Sequence, residues 1–487
     1  MDTKDFIDFG KATIDFVANY VETLREKNVL PDVEPRYLFN LLPEKAPQKP
    51  ESWQEVLKDV ERCILPGMTH WISPHFHAFY PTANSYPAIV GDILGNSLSC
   101  MGLSWIASPA CTELEMIMMN WLGKLLGLPK QFLSSNEGFG GGVIQGSASE
   151  ITLICLIAAR EQTTLSTKQL HPELDEAIIK TKLVAYASDQ SNSSVERGGL
   201  LASVPIRLLP TDDKCALRSE TLLKAIKEDL KKGLIPCCVI ANLGTTGTCA
   251  FDNLVELGPI CEEYNMWLHI DAAYAGAAFA CPEYRHFMSG IEYADSFNVN
   301  AHKWLKDSRK LVEACSVDRI YLKHDKQGVI PDYRNWQIPL GRRFRSLKVW
   351  FVLRTYGVEG IQQHIRHDIQ LAEMFENYVK SDSRFELVTE RSLSLVCFRM
   401  KGDNQLTQEL INRLTARRKI YIIAATYREK LIARFVIGSR LCREEDVTFA
   451  WDEITSQATE ILRSVTPPLE EGSEESLKTR LWQNQKV

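Results

Sequence analysis

The chain has 487 residues, of which 45% are hydrophobic and 24% charged, so it can bury a large core; this excludes a small disulfide scaffold and a disordered chain. Against 56 lysine and arginine residues stand 62 acidic ones, which gives a net charge of −6 without long runs of like charge. A nucleic-acid partner is therefore not expected, since such partners select basic surfaces.

Nothing in the chain indicates a membrane or a secretory route. No stretch reaches the roughly 18 uninterrupted apolar residues typical of a membrane-spanning helix. The start, MDTKDFIDFGKATIDF, carries acidic residues where a signal peptide has a basic end and an apolar run. The 13 cysteines include no C-x-x-C pair and mostly lie in apolar runs, which predicts buried reduced thiols. A cytoplasmic protein with no membrane partner is predicted.

The predicted elements begin with an amphipathic helix. Ile14, Val17, Val21 and Leu24 recur at helical spacing, so one face of this helix needs a cover. Five prolines between positions 31 and 50 then predict an extended passage before a helix near Trp53. This N-terminal arm can pack on a second subunit or on its own chain, and the spacing alone leaves both open.

From about residue 90 to residue 340 short apolar, β-branched runs alternate with helical stretches. Strands are predicted at 182–186, 234–242 and 267–271, with a helix at 219–231 between them. Such alternation predicts an α/β fold with a mostly parallel sheet and helices on both faces. Ligands of such sheets bind at the carboxyl ends of the strands.

After Gly341 the sequence predicts a long helical region and three apolar runs, at 393–398, 420–424 and 434–437. This pattern is typical of a small α+β domain. The polar end of the chain predicts a frayed tail. The predicted division is an N-terminal arm at 1–85, a large α/β domain at 86–345, a C-terminal α+β domain at 346–466 and a tail at 467–487.

Three short segments carry side chains suited to binding or catalysis. The run GSASE at 146–150 places hydroxyls and free N–H groups at a helix start, which favours a phosphate, although an ordinary N-cap serine gives the same pattern. Asp271 ends an apolar strand, where a carboxylate can hold a positive ring nitrogen or cap the next helix. Lys303 lies beside aromatic residues, where desolvation makes an amine a better nucleophile, although a surface lysine is commoner.

Together these three segments supply what pyridoxal 5′-phosphate requires: an anchor for its phosphate, a partner for its ring nitrogen and an amine. The combination resembles the group II pyridoxal-phosphate decarboxylases, specifically the aromatic L-amino acid decarboxylases. The resemblance spans nearly the whole chain, through WISPHFHAFYPTANSYPAIVGD, SWIASPACTELE, GGGVIQGSASE, LVAYASDQSNSSVERGGL, HIDAAYAG, NAHKW and DYRNWQIPLGRRFRSLK. It implies fold type I, an aromatic L-amino acid as substrate, and an obligate homodimer whose first helices wrap the partner and whose active sites lie at the interface.

The resemblance also implies roles for individual residues. Lys303 would be the amine that binds the cofactor, Asp271 the partner of its ring nitrogen, and Tyr321 a mobile residue near the reacting carbon. The remaining cofactor contacts would be Ser147, Ala148, Ser149, Thr246, Ala273, Asn300 and His302. The substrate side would be formed by Trp71, Phe79, Tyr80, Thr82 and Asn192, joined by Met101 and Leu103 from the other subunit. No metal is expected, because His75 and His77 have ligand spacing but no third ligand.

One substitution separates this chain from the amine-forming members. Where those members carry a histidine over the cofactor ring, this chain has Asn192, which cannot stack like an imidazole or exchange a proton near neutral pH. Together with the order Phe79-Tyr80, this resembles the insect aromatic acetaldehyde synthases. Dioxygen would then be a co-substrate, and an aromatic L-amino acid, L-DOPA by analogy, would give the aldehyde, carbon dioxide, ammonia and hydrogen peroxide. A decarboxylase that tolerates asparagine and releases the amine is the alternative.

A second departure is a deletion after Leu305. The family continues there with an apolar strand, whereas this chain continues with Lys306-Asp307-Ser308-Arg309. An absent strand would leave backbone groups unpaired and a gap in the core. Either residues 311–315 substitute for the strand, or the chain is a catalytically defective dimer partner, and the sequence leaves both open.

Overall fold

The computed structural model describes residues 1–82, 84–134, 140–300, 303 and 332–465. The predictions for His302, for Tyr321, for the segment after Leu305 and for the tail at 467–487 lie outside these residues. The helices are α1 (Thr3–Glu22), α2 (Tyr37–Leu41), α3 (Trp53–Asp59), α4 (Tyr86–Ser97), α5 (Pro109–Leu126), α6 (Ala148–Leu170), α7 (Glu176–Lys182), α8 (Ser194–Ala202), α9 (Ser219–Lys231), α10 (Leu254–Glu263), α11 (Arg345–Ser381), α12 (Asn404–Arg417) and α13 (Glu444–Val465). The strands are β1 (Leu183–Ser188), β2 (Ile206–Leu209), β3 (Ile235–Asn242), β4 (Trp267–Asp271), β5 (Ser296–Asn298), β6 (Phe385–Leu387), β7 (Leu395–Met400), β8 (Ile423–Tyr427) and β9 (Lys430–Val436).

Five parallel strands form the larger sheet in the order β2-β1-β3-β4-β5. In this register Asn242 of β3 pairs with Asp271 of β4, and Asp271 pairs with Asn298 of β5. The carboxyl ends of three neighbouring strands therefore lie side by side at one edge of the sheet. The predicted mostly parallel α/β architecture is confirmed.

This sheet is covered on both faces. Successive side chains of a strand point to opposite sides, and in β3 the two sets belong to different hydrophobic clusters. In β3, Val239 and Ala241 belong to one hydrophobic cluster, and Cys238 and Ile240 belong to another. β1 and β4 are buried along their whole length, as expected of strands covered on both sides. The described cysteines are all free, and only Cys100 among them is not buried.

The second sheet is antiparallel, in the order β6-β7-β9-β8, and forms the core of the smaller C-terminal unit. Phe375, Phe398, Phe435 and Trp451 pack together between this sheet and its helices. The long helix α11 leads into this unit and is broken at Gly357, whose φ of +65° favours glycine. The predicted small α+β domain is thus found.

The N-terminal arm is only partly covered by its own chain. α1 has no buried residue, and Phe6, Ile7 and Ile14 are exposed. Beyond α1, the chain is tied down by Arg25, which forms an ion pair with the buried Asp446 at 3.0 Å. No helix in the described part of the chain is long and apolar enough to cross a membrane.

The backbone that leads into α6 is buried, yet the described residues 141–146 form no strand. Side chains satisfy its hydrogen bonds instead: the N–H of Ile144 donates to Glu115 Oε1 at 2.7 Å, and its carbonyl accepts from Arg345 Nη1 at 2.8 Å. Glu115 is itself paired with Arg342, and both side chains are fully buried. This ion pair therefore fixes the approach to the start of α6.

Candidate active site

Four chain segments meet at the carboxyl edge of the parallel sheet. Asn192 follows β1, Thr246 follows β3, Asp271 ends β4, and Lys303 follows β5. Neighbouring segments are joined by side chains, since Asn192 Nδ2 donates to Thr246 Oγ1 at 3.0 Å and Asn298 Nδ2 donates to Asp271 Oδ1 at 3.2 Å. The residues predicted from separate motifs are thus brought to one edge.

The turn after β5 is fastened to the end of β4 through the backbone. The N–H of Asn300 donates to the carbonyl of Ala273 at 3.0 Å, and the N–H of Lys303 donates to the carbonyl of Asn300 at 3.0 Å. Asp271 Oδ1 also accepts from the N–H of Ala273 at 3.0 Å, and Asp271 is buried. The backbone of Lys303 is therefore tied to the end of the strand that carries Asp271.

The amine of Lys303 is partly buried beside an aromatic ring. Its Nζ lies 5.2 Å from the centre of the Tyr80 ring. Burial lowers the pKa of Lys303, the carboxylate of Asp271 opposes this, and the guanidinium of Arg434 adds to the lowering. A lowered pKa leaves more of the amine neutral near pH 7, and the neutral amine is the form that attacks a carbonyl carbon.

Phe79 and Tyr80 are adjacent in the chain, but Tyr80 is buried and Phe79 is exposed. The Tyr80 ring stacks on Tyr274 with centres 3.7 Å apart, and its hydroxyl donates to the carbonyl of Thr245 at 3.1 Å. Burial raises the pKa of Tyr80, so this hydroxyl stays protonated. Phe79 has a left-handed φ of +54°, is exposed, and stacks on Trp71 at 5.4 Å. Tyr80 thus faces the lysine, while Phe79 and Trp71 form an open aromatic surface.

The start of α6 is arranged to receive an anion. The hydroxyl of Ser147 accepts from the N–H of Glu150 at 3.2 Å, and the carboxylate of Glu150 accepts from the N–H of Gly146 at 2.9 Å, which is a reciprocal cap. The N–H groups of Ala148 and Ser149 lie in the first helical turn, where no carbonyl of the helix can accept from them. Ser147 and Ser149 are exposed, and the helix dipole favours negative charge here.

Two of the predicted substrate-side residues, Met101 and Leu103, lie in a segment that is hydrogen-bonded to its own chain. The N–H of Gly102, between Met101 and Leu103, donates to the carbonyl of Arg342 at 3.1 Å, and the carbonyl of Leu103 accepts from Arg334 at 3.1 Å. Met101 is 56% exposed. Thr82 is exposed as well. The segment with Met101 and Leu103 therefore packs on its own 334–342 segment and presents Met101 outward.

The two histidines with ligand spacing are used in packing. His75 Nε2 bonds to Asp446 Oδ1 at 3.1 Å, and His77 Nδ1 bonds to the carbonyl of Val436 at 3.1 Å. Among the residues that the structure describes, no group of three metal-ligating side chains is close enough to hold an ion.

Sequence reasoning missed a buried network behind Asn192. Asn242 Nδ2 donates to Ser191 Oγ at 2.8 Å, and the N–H of Asn242 donates to Asp252 Oδ2 at 2.7 Å. Burial raises the pKa of Asp252 to about 6. The position of Asn242 at the end of β3 was the available signal, because polar residues at strand ends point to a site.

Arg434 was not predicted as a site residue. It is a buried arginine on β9 whose guanidinium lies 5.0 Å from the centre of the Tyr80 ring. Nothing local in the sequence distinguishes this arginine, since it follows ordinary strand residues. Its neighbours come from distant parts of the chain.

A cavity of about 830 Å³ lies between α4 and α11 and reaches Gly146 at the start of α6. Its apolar wall includes Leu122, Val349 and Leu353, and Lys348 lies at its edge in an ion pair with Asp92 at 2.6 Å. One side of this cavity therefore lies next to the start of α6.

Comparison with known proteins gives concordant matches. The family model described as the pyridoxal-dependent decarboxylase conserved domain matches residues 35–401. A 3,4-dihydroxyphenylacetaldehyde synthase of Aedes aegypti is 54% identical over 478 residues, 96% of this chain and 91% of that protein. An aromatic-L-amino-acid decarboxylase of Drosophila melanogaster is 52% identical over 472 residues, 95% of this chain and 92% of that protein. The structure of Oryza sativa TDC with PLP and tryptamine matches with a TM-score of 0.91 at 35% identity, over 95% of this chain and 99% of that one.

Proposed function

Because this chain belongs to the pyridoxal-dependent decarboxylase family, we propose that it decarboxylates an aromatic L-amino acid, preferably L-DOPA, and releases the product as an aldehyde. The family, the fold type and the cofactor expected from the sequence are confirmed: the cofactor is pyridoxal 5′-phosphate. The relatives include both an aldehyde synthase and an amine-forming decarboxylase at similar identity. The choice between these products therefore depends on the residues of this chain.

The residues present fit pyridoxal 5′-phosphate. A buried carboxylate, that of Asp271, and a partly buried amine, that of Lys303, lie at one sheet edge, and withdrawing charged groups from water is costly in a core that serves packing alone. Asp271 would hold the ring nitrogen and keep it protonated, and Lys303 would supply the amine. The phosphate would lie at the start of α6, against Ser147, Ala148 and Ser149. The other contacts would come from Thr246, Ala273, Asn300 and His302.

When bound, the cofactor supplies a sink for the electron pair that carbon dioxide leaves behind. The chain would orient the substrate for this step through its aromatic residues. Phe79 and Trp71 would bind the aromatic side chain of the substrate, because their stacked rings are exposed beside Tyr80. Met101 and Leu103 of a second subunit would close the pocket, and Thr82 and Tyr321 would complete it.

The proposal of an aldehyde product rests on one observation, the fixed amide of Asn192. Its Nδ2 donates to Thr246 Oγ1 at 3.0 Å, and its Oδ1 accepts from the N–H of Ser194 at 3.0 Å. An amide neither gains nor loses a proton near pH 7, so this side chain cannot act as the general acid that delivers the proton completing an amine. The reaction would instead consume one dioxygen and one water and yield one aldehyde, carbon dioxide, ammonia and hydrogen peroxide.

Product analysis with L-DOPA in air tests this proposal. We expect the aldehyde and an equal amount of peroxide from the unmodified protein. N192H restores an exchangeable imidazole and should raise the ratio of amine to aldehyde by tenfold or more, whereas N192Q, which keeps the amide, should not. Unchanged aldehyde yield in N192H contradicts the assigned role of Asn192. Dopamine from the unmodified protein would identify an amine-forming decarboxylase, and no turnover would favour the defective variant.

We also propose that the chain works as a homodimer. α4 exposes Val90, Ile93 and Leu94 at helical spacing, and α1 exposes Phe6 and Ile7. Monomeric proteins seldom expose extended apolar patches of this kind, so a second copy is the natural cover. The arm of one subunit would then wrap the other, and the segment with Met101 would reach the partner's site.

A further inference from the structure

Arg434 is a buried cation whose hydrogen bonds to the described residues end on neutral groups. It lies on β9 and is 2% exposed. Its Nε donates to the carbonyl of Gly247 at 2.9 Å, and its Nη2 donates to the carbonyl of Phe79 at 3.4 Å. Buried arginines are rare unless they are paired, because desolvating the charge is costly. A cation kept here therefore needs an explanation beyond packing.

The charge of Arg434 and the amine of Lys303 share one aromatic ring. The guanidinium carbon lies 5.0 Å from the centre of the Tyr80 ring, and Lys303 Nζ lies 5.2 Å from the same centre. The electron-rich ring attracts each cation, while the two like charges repel each other. This repulsion disfavours the protonated form of the lysine.

The same side chain supports an unfavourable backbone conformation. Phe79 has a φ of +54°, and a bulky residue in this region is an outlier that its surroundings must hold. The bond from Arg434 to the Phe79 carbonyl is long, whereas the bond to the Gly247 carbonyl anchors the guanidinium. Arg434 thus joins the turn at 79–80 to the loop after β3.

We propose that Arg434 is a positioning residue for the cofactor-binding lysine: it fixes the turn at Phe79 and Tyr80 and holds a permanent positive charge beside the Lys303 amine. The inference deepens the function proposed above and rests on it for the role of Lys303. It concerns the position and the protonation of the Lys303 amine, and it makes no statement about which product is released.

The other groups near the amine define what the charge of Arg434 can do. Asp271, at the end of β4, favours the protonated amine and opposes Arg434. Burial raises the pKa of each remaining titratable group around the ring, so these stay neutral near pH 7: Tyr80, Tyr274, Cys249 and Cys397. Among the described residues, the amine therefore lies between one negative and one positive charge.

Chemical labelling of the cofactor-free protein tests the proposal without substrate or oxygen. The extent of acetylation of Lys303 is measured by mass spectrometry across pH, with the exposed Lys214 as internal reference. The labelling midpoint is the pH at which Lys303 reaches half of its maximal acetylation. R434Q and R434M remove the charge, and we expect this midpoint to rise by about one pH unit. At a pH below the midpoint, acetylation of Lys303 should then be about tenfold lower than in the unmodified protein. R434K keeps a charge and should recover most of the original midpoint.

Controls separate this role from a purely structural one. R440Q alters another arginine whose Nε donates to a backbone carbonyl, that of Asn84 at 2.9 Å, and should leave the midpoint unchanged. An unchanged midpoint in R434Q and R434M, with only a lower melting temperature, would overturn the proposal, as would R434K behaving like R434M. If R434M does not fold, R434Q and R434K decide alone. Amine from the unmodified enzyme would overturn the proposed product and leave this labelling result standing.

Discussion

A single buried carboxylate, Asp252, makes the network behind Asn192 sensitive to pH. Burial raises its pKa to about 6, although the N–H groups of Asn242 and Leu217 donate to it and oppose the rise. The folded chain therefore binds this proton more tightly than the unfolded chain does. The resulting stabilisation is full below the unfolded pKa near 4 and is lost as the pH rises through about 6.

D252N should remove this dependence. The free energy of unfolding of the unmodified protein relative to D252N should fall by about 2 kcal/mol between pH 4.5 and pH 7.5. Urea unfolding of both proteins at the two pH values measures it. A difference that does not change with pH would contradict the assignment.

Asp271 and Arg434 act on the Lys303 amine with opposite signs, which gives a paired prediction. D271N removes the negative charge while keeping an oxygen that can accept from the N–H of Ala273. The labelling midpoint of Lys303 should therefore fall by about one pH unit, opposite to R434Q. A shift in the same direction for both variants would show that the two side chains do not act through their charges.

At the scale of elements, the ion pair of Glu115 and Arg342 holds the segment that leads into α6. Both side chains are fully buried, and Glu115 also accepts from the N–H of Ile144 at 2.7 Å. The proposed phosphate site at the start of α6 would depend on this support, because residues 141–146 have no strand partner among the described residues.

E115Q leaves the Arg342 charge unpaired, and we expect it to lower the free energy of unfolding by about 3 to 5 kcal/mol. The double variant E115L/R342M removes both charges and should regain much of this loss. Denaturant unfolding of the single and double variants measures both effects. Equal instability of the two variants would mean that lost packing, not the unpaired charge, is responsible.

The bounds of single helices and strands could be predicted from sequence wherever one local pattern dominated. β4 and α9 begin and end at the predicted residues, because an apolar run and a helical repeat are each complete within the element. β8 begins at Ile423 instead of residue 420, since Ile420 and Ile422 are buried before the strand pairs begin. The division into four segments stays a prediction.

The candidate site was predictable only where its residues lie in motifs. Asp271 and Lys303 stand in recognisable runs, and the structure brings their strand ends together. Arg434 acts through a neighbour far away in the chain, and no periodicity or motif encodes such a contact. The roles of the predicted site residues remain predictions until the variants are measured.

At the scale of the whole molecule, the uncovered apolar faces predict a dimer in solution. I93D places a charge on the exposed stripe of α4, where it would have to be desolvated against a second copy. Sedimentation should show twice the chain mass for the unmodified protein and the mass of one chain for I93D. L200D, on the exposed Leu200 of α8, is the matched control and should stay dimeric. A monomeric unmodified protein would contradict the proposed assembly.

The ring of Tyr80 contacts residues that are synthesised at different times during translation. Tyr80 is made early, whereas Tyr274, Lys303 and finally Arg434 on β9 emerge progressively later from the ribosome. A nascent chain that ends before β9 carries the lysine without the enclosure that surrounds it in the folded protein. We therefore expect the cofactor to bind late in synthesis, and chains that end before β9 should fail to retain it.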